Sequence, residues 1–390
     1  MRKFLSRIKM RLQSRKIKSS HGLNLIDLLE RDVVSFQEPE IFAALKDQVI
    51  LVTGAAGSIG SELCRQLLSY GPKAVIALDM NETGLFDLAE SVHAHPNAAC
   101  LHVSIGDITD MRELARLFAQ ERPKVVFHAA AYKHVPLLEQ FPYQAVRTNI
   151  LSTYRLCCLA REYEVERFVF ISTDKAAEPV SVMGASKRIG ELIVQAHAKI
   201  TDSVTSFCAV RFGNVIGSRG SVVPIFTRQI EEGGPVTVTD PDATRYFMTI
   251  PEACGLVILT AATADEGGIY LLDMGEAVRI IDLAKKMIHL HDLNIGQDIS
   301  IVYTGLRPGE RLHETLVAKG EELAPTTHSK IFCITSKANA PLLPTITQWM
   351  HTLEHSLQYE SSEQLREQLF DLIHEEVNSI VNLSEAADLV

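Results

Sequence analysis

Apolar residues along this chain gather in short unbroken runs separated by stretches with a helical period. Val49 to Val52, Ala74 to Leu78, Cys100 to Val103, Lys124 to Phe127, Arg167 to Ile171 and Thr205 to Arg211 are runs of this kind. Unbroken β-branched runs, rather than alternating ones, are what a parallel strand covered on both faces requires. Between them, Ser61 to Ser69, Gly84 to Val92, Met111 to Gln120 and the stretch NILSTYRLCCLAREY from Asn149 read as helices. Strand and helix in strict alternation predict an α/β fold with a doubly wound parallel sheet. The rhythm breaks after the sixth strand. Phe212 to Pro224 is a long glycine-containing loop, as a substrate-facing insertion would be. A turn at Gly233-Gly234-Pro235, a short strand from Val236 to Thr239, and the segment Thr244 to Met248 follow. The pattern divides the chain into a leader with connector helices (1–46), a first domain (47–210, its core continuing to about 275), a smaller C-terminal ligand-binding region (211–330) and a helical extension (331–390). Within the extension, Trp349, Met350, Leu353, Leu357, Leu365, Leu369 and Ile373 stand at helical spacings and read as packing or oligomer faces.

The turns between these elements carry the candidate chemistry. Thr53-Gly54-Ala55-Ala56-Gly57-Ser58-Ile59-Gly60 follows the first strand and opens the first helix. Gly54, Gly57 and Gly60 let the backbone approach a pyrophosphate, and Ser58 and Ile59 stand in the turn that leads to a helix N-terminus with free N–H donors. This context makes the first domain a Rossmann dinucleotide-binding unit. The second strand ends in Asp79, at the usual distance for a carboxylate on the adenosine ribose. A carboxylate there repels a 2′-phosphate, so NAD is expected rather than NADP. Asp107 and Ile108 end the third strand where the adenine edge would lie. Ala129 and Ala131 follow the fourth and leave room for the cofactor, while Lys133 and His134 face a site of negative charge. The fifth strand runs into Ser172, Thr173, Asp174 and Lys175, where open parallel sheets place their ligands. Met183 and Lys187 are four apart and share a helix face.

With 390 residues and 46% hydrophobic content the chain has material for one large or two modest domains. A net charge of −10 argues against a general nucleic-acid surface. That total conceals a basic leader, since the first twenty residues hold eight lysines and arginines and no acid. Phe4, Leu5, Ile8 and Leu12 fall at helical spacing inside it, which suits peripheral contact of residues 1–18 with an anionic membrane as well as a solvated leader. No stretch reaches the roughly 20 apolar residues of a membrane span, and no secretory core is present. Seven cysteines without paired spacing suggest reduced thiols, a cytoplasmic chain and no metal site.

Taken together and in order, TGAAGSIGSEL, HAAAYKHVPLLE, STDKA, MGASKR, RFGNVIGSRGSVVP, TRYFMTIPEA and LRPGERLHE resemble the bacterial UDP-N-acetylglucosamine 4,6-dehydratases, a polysaccharide-biosynthesis branch of the extended short-chain dehydrogenases. The resemblance covers about Ile41 to Leu316. It implies a tightly bound NAD that is recycled within each turnover, UDP-N-acetylglucosamine as substrate and a homo-oligomer, located in the cytoplasm or at the inner face of the membrane. Some members carry an N-terminal multi-span region, and LNLIDLLERDVV is similar to the connector that follows it. The resemblance further implies Lys175 as the base for the C5 proton, Asp174 as the acid to the C6 hydroxyl, and Thr173 near O4. Lys187 takes the ribose and nicotinamide role, and Asn149 braces the active-site backbone.

On the substrate side the same resemblance, with the fit of an arginine fork to a diphosphate, puts Arg307 on the UDP pyrophosphate and Glu310 on the uridine ribose. Asn214 would then meet the sugar or its phosphate, and Val222 would begin the helix under the uracil. Short-chain dehydrogenases place a proton-transferring tyrosine where this chain has Met183. A thioether is no base, so proton transfer falls to Thr173, Asp174 or Lys175. Three alternatives stay open at this stage: a C5-inverting dehydratase, a UDP-sugar 4-epimerase, and a non-catalytic NAD-binding subunit.

Overall fold

The computed structural model describes residues 39–264, 267–336 and 340–387, with side-chain surroundings through residue 374. The basic leader, its expected membrane contact and the connector helix from Leu23 lie outside the described residues. Six strands form first, β1 (Val49–Thr53), β2 (Ala74–Asp79), β3 (Leu101–Ile105), β4 (Val125–His128), β5 (Arg167–Ile171) and β6 (Ser206–Arg211). The smaller region adds β7 (Asn214–Ile216), β8 (Val236–Val238), β9 (Thr244–Thr249), β11 (Ala277–Arg279) and β12 (Ile301–Tyr303), while β10 (Ile269–Leu272) returns to the main sheet. The strands β13 (Glu321–Pro325) and β14 (Ile331–Ser336) close the series.

The main sheet has nine strands in the order β13-β14-β10-β6-β5-β4-β1-β2-β3. From β3 to β10 all pairings are parallel, and β14 joins antiparallel to β10. The strand order reverses between β1 and β4, the switch point where such sheets open a crevice for ligands. Register brings the ends of neighbouring strands to one edge: Thr53 pairs with His128 and with Leu78, and His128 with Phe170.

The central strands β1, β2, β4, β5 and β6 bury both faces, whereas β3 and β13 at the sheet's two edges are largely exposed. Leu51, Ile76, Val126, Phe168 and Phe170 point to one core, shared with helices Ser152–Glu162 and Val182–Ala198. Their neighbours Ile50, Val52, Val75, Phe127 and Val169 point to the other, shared with helices Ser58–Leu68 and Ile250–Thr263. A third core under helices Val222–Glu231 and Ile280–Leu290 belongs to the smaller region. No helix among the described residues is long and apolar enough to cross a membrane. All seven cysteines are free thiols.

Several boundaries differ from the pattern of the sequence. The first helix opens at Ser58, three residues early, because Gly57 takes an extended N-cap conformation. Asn149 does not begin an α-helix; it sits in a π-helical turn, Ala145–Leu151, and the α-helix starts at Ser152. Ser152 Oγ donates to the Arg147 carbonyl across this widened turn. The loop after β6 is not wholly irregular, since β7 pairs with β9. The extension is not helical from residue 331, because the run IFCITS joins the main sheet as β14 and the helices begin at Leu343.

Those last helices, Leu343–Tyr359 and Ser362–Ala387, form a hairpin. Ile346, Trp349, Met350, Leu353, Leu365 and Leu369 enter the core that holds helix Val182–Ala198. Arg155 pairs with Glu354 at 2.7 Å and Tyr154 bonds Thr347 at 3.0 Å. Arg366 donates to one oxygen of Glu139, whose other oxygen accepts the Val182 N–H at 2.7 Å.

Candidate active site

The glycine turn and the loop after β4 pass so closely that only glycine fits between them. A Cβ on Gly54, which has φ +71°, would stand 2.6 Å from the Ala130 nitrogen, and one on Gly60 2.1 Å from the Gly54 carbonyl oxygen. Asp79 ties the end of β2 to this turn, accepting the Ala56 N–H and the Asn81 N–H, each at 2.9 Å. Its remaining lone pairs stay free for further donors. Asp107 accepts the Thr109 N–H at 2.8 Å, and Ile108 is buried beside it.

Asn149 is buried and spends its amide on three partners. It accepts the Tyr132 N–H (2.9 Å) and donates to the Tyr132 carbonyl (3.0 Å) and to Ser186 Oγ (3.0 Å). The loop carrying Ala129, Ala131, Lys133 and His134 is thereby fastened to the helix of Met183 and Lys187. A second brace runs beneath it. His128 lies between Thr53 Oγ1 (2.8 Å) and Thr153 Oγ1 (2.9 Å), and Thr153 donates to the Asn149 carbonyl. Burial, with the Lys187 charge adding to it, pushes the imidazole down to about 3. The ring is therefore neutral, with Nδ1 accepting from Thr53 and Nε2–H donating to Thr153.

Lys187 Nζ donates to the Ile171 carbonyl at 2.8 Å and stands 4.5 Å from the Phe170 ring centre. Burial pushes it down to about 8 against the opposing pull of Glu191. Met183 is buried in the first turn of the same helix, whose N-cap Ser181 accepts the Gly184 N–H.

At the end of β5, Asp174 is buried. Its Oδ1 accepts from Thr173 Oγ1 at 2.8 Å and from Lys175 Nζ at 3.0 Å, while Oδ2 is buried with no hydrogen-bond partner. Lys175 Nζ also lies 3.3 Å from Asn214 Oδ1 and 3.2 Å from Glu314 Oε1. Burial would lower the Lys175 ammonium, but the carboxylates of Asp174 and Glu314 outweigh it and hold it above its ordinary value. Lys175 is thus charged in this arrangement.

Ser172, adjacent in sequence, turns the other way into a second charged cluster. Its hydroxyl donates to Glu191 at 2.6 Å, and Arg211 grips Glu191 with two bonds of 2.6 and 2.7 Å and Glu321 with two of 2.7 and 3.0 Å. Arg188 adds a contact to each carboxylate.

Outside these, Arg307 is exposed and spends its fork on Glu310, with Nε at 3.0 Å from Oε1. Burial pushes His134 down, and the charges of Lys133 and Arg307 push it further, so a neutral imidazole shares this mouth with two cations. Gly220 lies against the His134 ring, and Val222 opens its helix as the sequence pattern suggests. Arg219 joins the two halves of the site: its N–H donates to Ser58 Oγ at 3.1 Å and its Nη1 to the Ala56 carbonyl at 3.2 Å.

Sequence reasoning did not single out Glu314, Arg219 or the His128 strut. The signal for the first was present in LRPGERLHE, whose closing acid falls too far along the chain to be linked to Lys175 without a fold.

The reversed strand order, the glycine turn and the polar groups at the ends of β4 and β5 define a Rossmann-type α/β protein of the short-chain dehydrogenase kind. Residues 50–336 match the family described as polysaccharide biosynthesis protein, and the chain belongs to that family. It is 47% identical over 307 residues to the capsular polysaccharide biosynthesis protein CapD of Staphylococcus aureus, covering 78% of this chain and 51% of that protein. The chain therefore spans about half the length of the curated relatives it matches. Among solved structures, Pen from Bacillus thuringiensis superposes with a TM-score of 0.70 at 34% identity, covering 75% of this chain and 90% of the other. The dTDP-glucose 4,6-dehydratase DesIV of Streptomyces venezuelae, solved with NAD and TYD bound, gives 0.61 at 25% identity, covering 69% and 88%.

Proposed function

We propose that this chain removes water from UDP-N-acetylglucosamine across C5 and C6, giving the 4-keto-6-deoxy sugar with C5 retained, for surface polysaccharide synthesis. The observation that carries this reading is the buried Asp174–Lys175 pair with one carboxylate oxygen left unpartnered, against the first turn of the helix that carries Met183 in the place of a phenol. A 4-epimerase, which relies on a tyrosine at that place, has no need of such a pair.

The residues present fit NAD. The turn at Gly54, Gly57 and Gly60 leaves no space for side chains where a pyrophosphate would approach. Ser58 and Ile59 would offer N–H groups, Asp79 the ribose acceptor, Asp107 and Ile108 the adenine edge, Ala129 and Ala131 the floor, and Lys187 the nicotinamide ribose. Bound there, NAD supplies a hydride acceptor for C4 and returns the hydride to C6, so none is consumed. On the substrate, a C4 ketone makes the C5 proton removable.

The protein's own part is a closed proton cycle. Lys175 is an ammonium and Asp174 a carboxylate across 3.0 Å, so the proton first crosses from Nζ to Oδ1, leaving an amine and a carboxylic acid. Lys175 Nζ then takes the C5 proton and Asp174 gives its own to the departing C6 oxygen. Water leaves, and the pair is again ammonium and carboxylate. As C6 becomes a methyl group Lys175 Nζ gives a proton back to C5, and the proton shed earlier by the C4 hydroxyl, relayed by a water held by Thr173, restores the ammonium. Lys133, His134, Asn214, Val222, Arg307 and Glu310 would receive the nucleotide and sugar, with Arg307 exchanging Glu310 for the pyrophosphate.

Incubation of the purified protein with UDP-N-acetylglucosamine and no reductant tests this. The expected product is lighter by one water, carries a 4-keto group and gains deuterium at C5 in heavy water. A product of unchanged mass would indicate 4-epimerisation, and no turnover would leave a nucleotide-binding protein; either outcome overturns the reading.

A further inference from the structure

The proton cycle just described makes no use of one buried carboxylate that touches it. Glu314 is almost fully buried, and its Oε1 lies 3.2 Å from Lys175 Nζ, on a segment that reaches the site from the far end of the smaller region. A buried carboxylate is costly unless it is paired. Glu314 has two partners, Lys175 and Arg245, whose Nε is 3.3 Å away.

Arg245 is itself immobilised. Its Nη1 donates to the carbonyls of Thr244 (2.7 Å) and Leu312 (3.1 Å), and its Nη2 to that of Arg311 (2.8 Å). Glu314 is therefore clamped by a guanidinium that has no freedom to follow it. Asp174 is fixed at the end of β5 with its side chain fully buried, whereas Lys175 keeps 21% of its side chain exposed. Of the three, the lysine is the one with room to move.

We propose that Glu314 is a positioning residue that holds the proton on Lys175 in the resting enzyme and releases it only when substrate draws Nζ away from Glu314 while its contact with Asp174 is kept. The proposal rests on the dehydratase reading for its biological meaning. Its chemistry needs no outside reagent: ammonium and carboxylate become amine and acid when the proton passes from Nζ to Oδ1, and Glu314 favours the first state by its charge. The groups facing Lys175 are Asp174 and Glu314 as anions, Arg245 as the nearby cation, and Thr173 and Asn214 as neutral dipoles. The raised affinity of Lys175 for its proton agrees with two anions against one cation. When Nζ leaves, Arg245 keeps Glu314 paired, so the movement strands no charge.

The test replaces the charge and keeps the shape, Glu314→Gln, in the NAD-loaded protein. Acetylation of Lys175 by acetic anhydride, followed by mass spectrometry across pH, reads the amine without turnover. Its midpoint is expected to fall by about one pH unit, as loss of an adjacent opposite charge requires; an unmoved midpoint overturns the proposal. The alkaline limb of kcat/KM for water loss should move down by a similar amount. A profile lowered uniformly with its limb in place would mark a structural role and overturn it too. Should Glu314→Gln fail to fold, Glu314→Asp draws the carboxylate back by one methylene, and a smaller fall of the same midpoint is expected, with no fall again decisive against. Because labelling is independent of turnover, a wild-type protein that fails to dehydrate the sugar sinks the functional reading while leaving the role of Glu314 separately decided.

Discussion

Two charged clusters stand back to back around the ends of β5 and β6, and they differ in one respect. Behind the sheet, Arg211 is wholly buried and every arm of its guanidinium meets Glu191 or Glu321, with Ser172 and Arg188 adding further bonds. In front, Asp174 and Lys175 meet each other, Thr173, Asn214 and Glu314, yet one oxygen of Asp174 has nothing to accept from. Buried charge is expensive in both places. A closed cluster returns that cost as a fixed geometry. An open one keeps an acceptor in reserve, which is what a site of proton transfer needs.

The comparison breaks most readily at its reactive member. Lys175→Ala should reduce water loss by about 10³-fold or more with NAD content unchanged, measured by product assay beside nucleotide released on denaturation; retained activity would remove the amine from the chemistry. Arg211→Leu should do the opposite. It leaves Glu191 and Glu321 buried with Arg188 as the remaining cation against two carboxylates, so urea unfolding should show a loss of about 3–5 kcal/mol, while the activity of the molecules that remain folded stays close to wild type. If that activity fell as far as in Lys175→Ala, the two clusters would not be distinct in kind.

Lys187, which lies between them, sharpens the contrast through pH. Its folded value of about 8 lies below the ordinary 10.5, so between those values the unfolded chain holds a proton that the folded chain does not. Relative to Lys187→Met, which keeps the same buried thiols, the stability of the NAD-free protein should therefore rise with pH through that window, by roughly 1–3 kcal/mol in all. The cost of burying the ammonium is fully present below pH 8. Both proteins also lose stability in alkali as the buried thiols of Cys64, Cys157, Cys208 and Cys254 favour their protonated form, so urea titrations of the pair at pH 8 and 10 read the difference between them, and an unchanged difference would remove the titration from Lys187. The smallest effect is expected at Met183. If its thioether serves only to fill the place of a phenol, Met183→Leu should alter stability by less than about 1.5 kcal/mol and leave the rate within a few-fold, as steady-state kinetics would register.

How much of this was legible beforehand follows the range of the interactions. Runs such as Val49–Val52 and Arg167–Ile171 state their strand character locally, because burial on both faces demands unbroken apolar residues. The glycine turn is equally local. Its three glycines are spaced by the geometry of one turn, and their need shows in the contacts a side chain would make, 2.1 Å at Gly60, 2.6 Å at Gly54 and 3.1 Å at Gly57. By contrast, Lys175 and Arg211 each have one partner far away in sequence. Glu314 and Glu321 come from the end of the smaller region and from an added strand, and nothing in their own neighbourhoods announces which cation they will meet. The π-helical turn at Asn149 was hidden for a different reason: NILSTYRL carries an ordinary helical pattern, and the extra residue per turn leaves no mark on periodicity over so short a span. The strand at Ile331 was misjudged because its run of six residues stands just before two long amphipathic helices that dominate the composition.

The terminal hairpin has a bearing on company as well as on folding. Helix Val182–Ala198 rests on the sheet with one flank and under Trp349, Leu353 and Leu369 with the other. That outer flank is thus occupied from within a single polypeptide, and neighbours of the same kind would have to meet this protein by some other side.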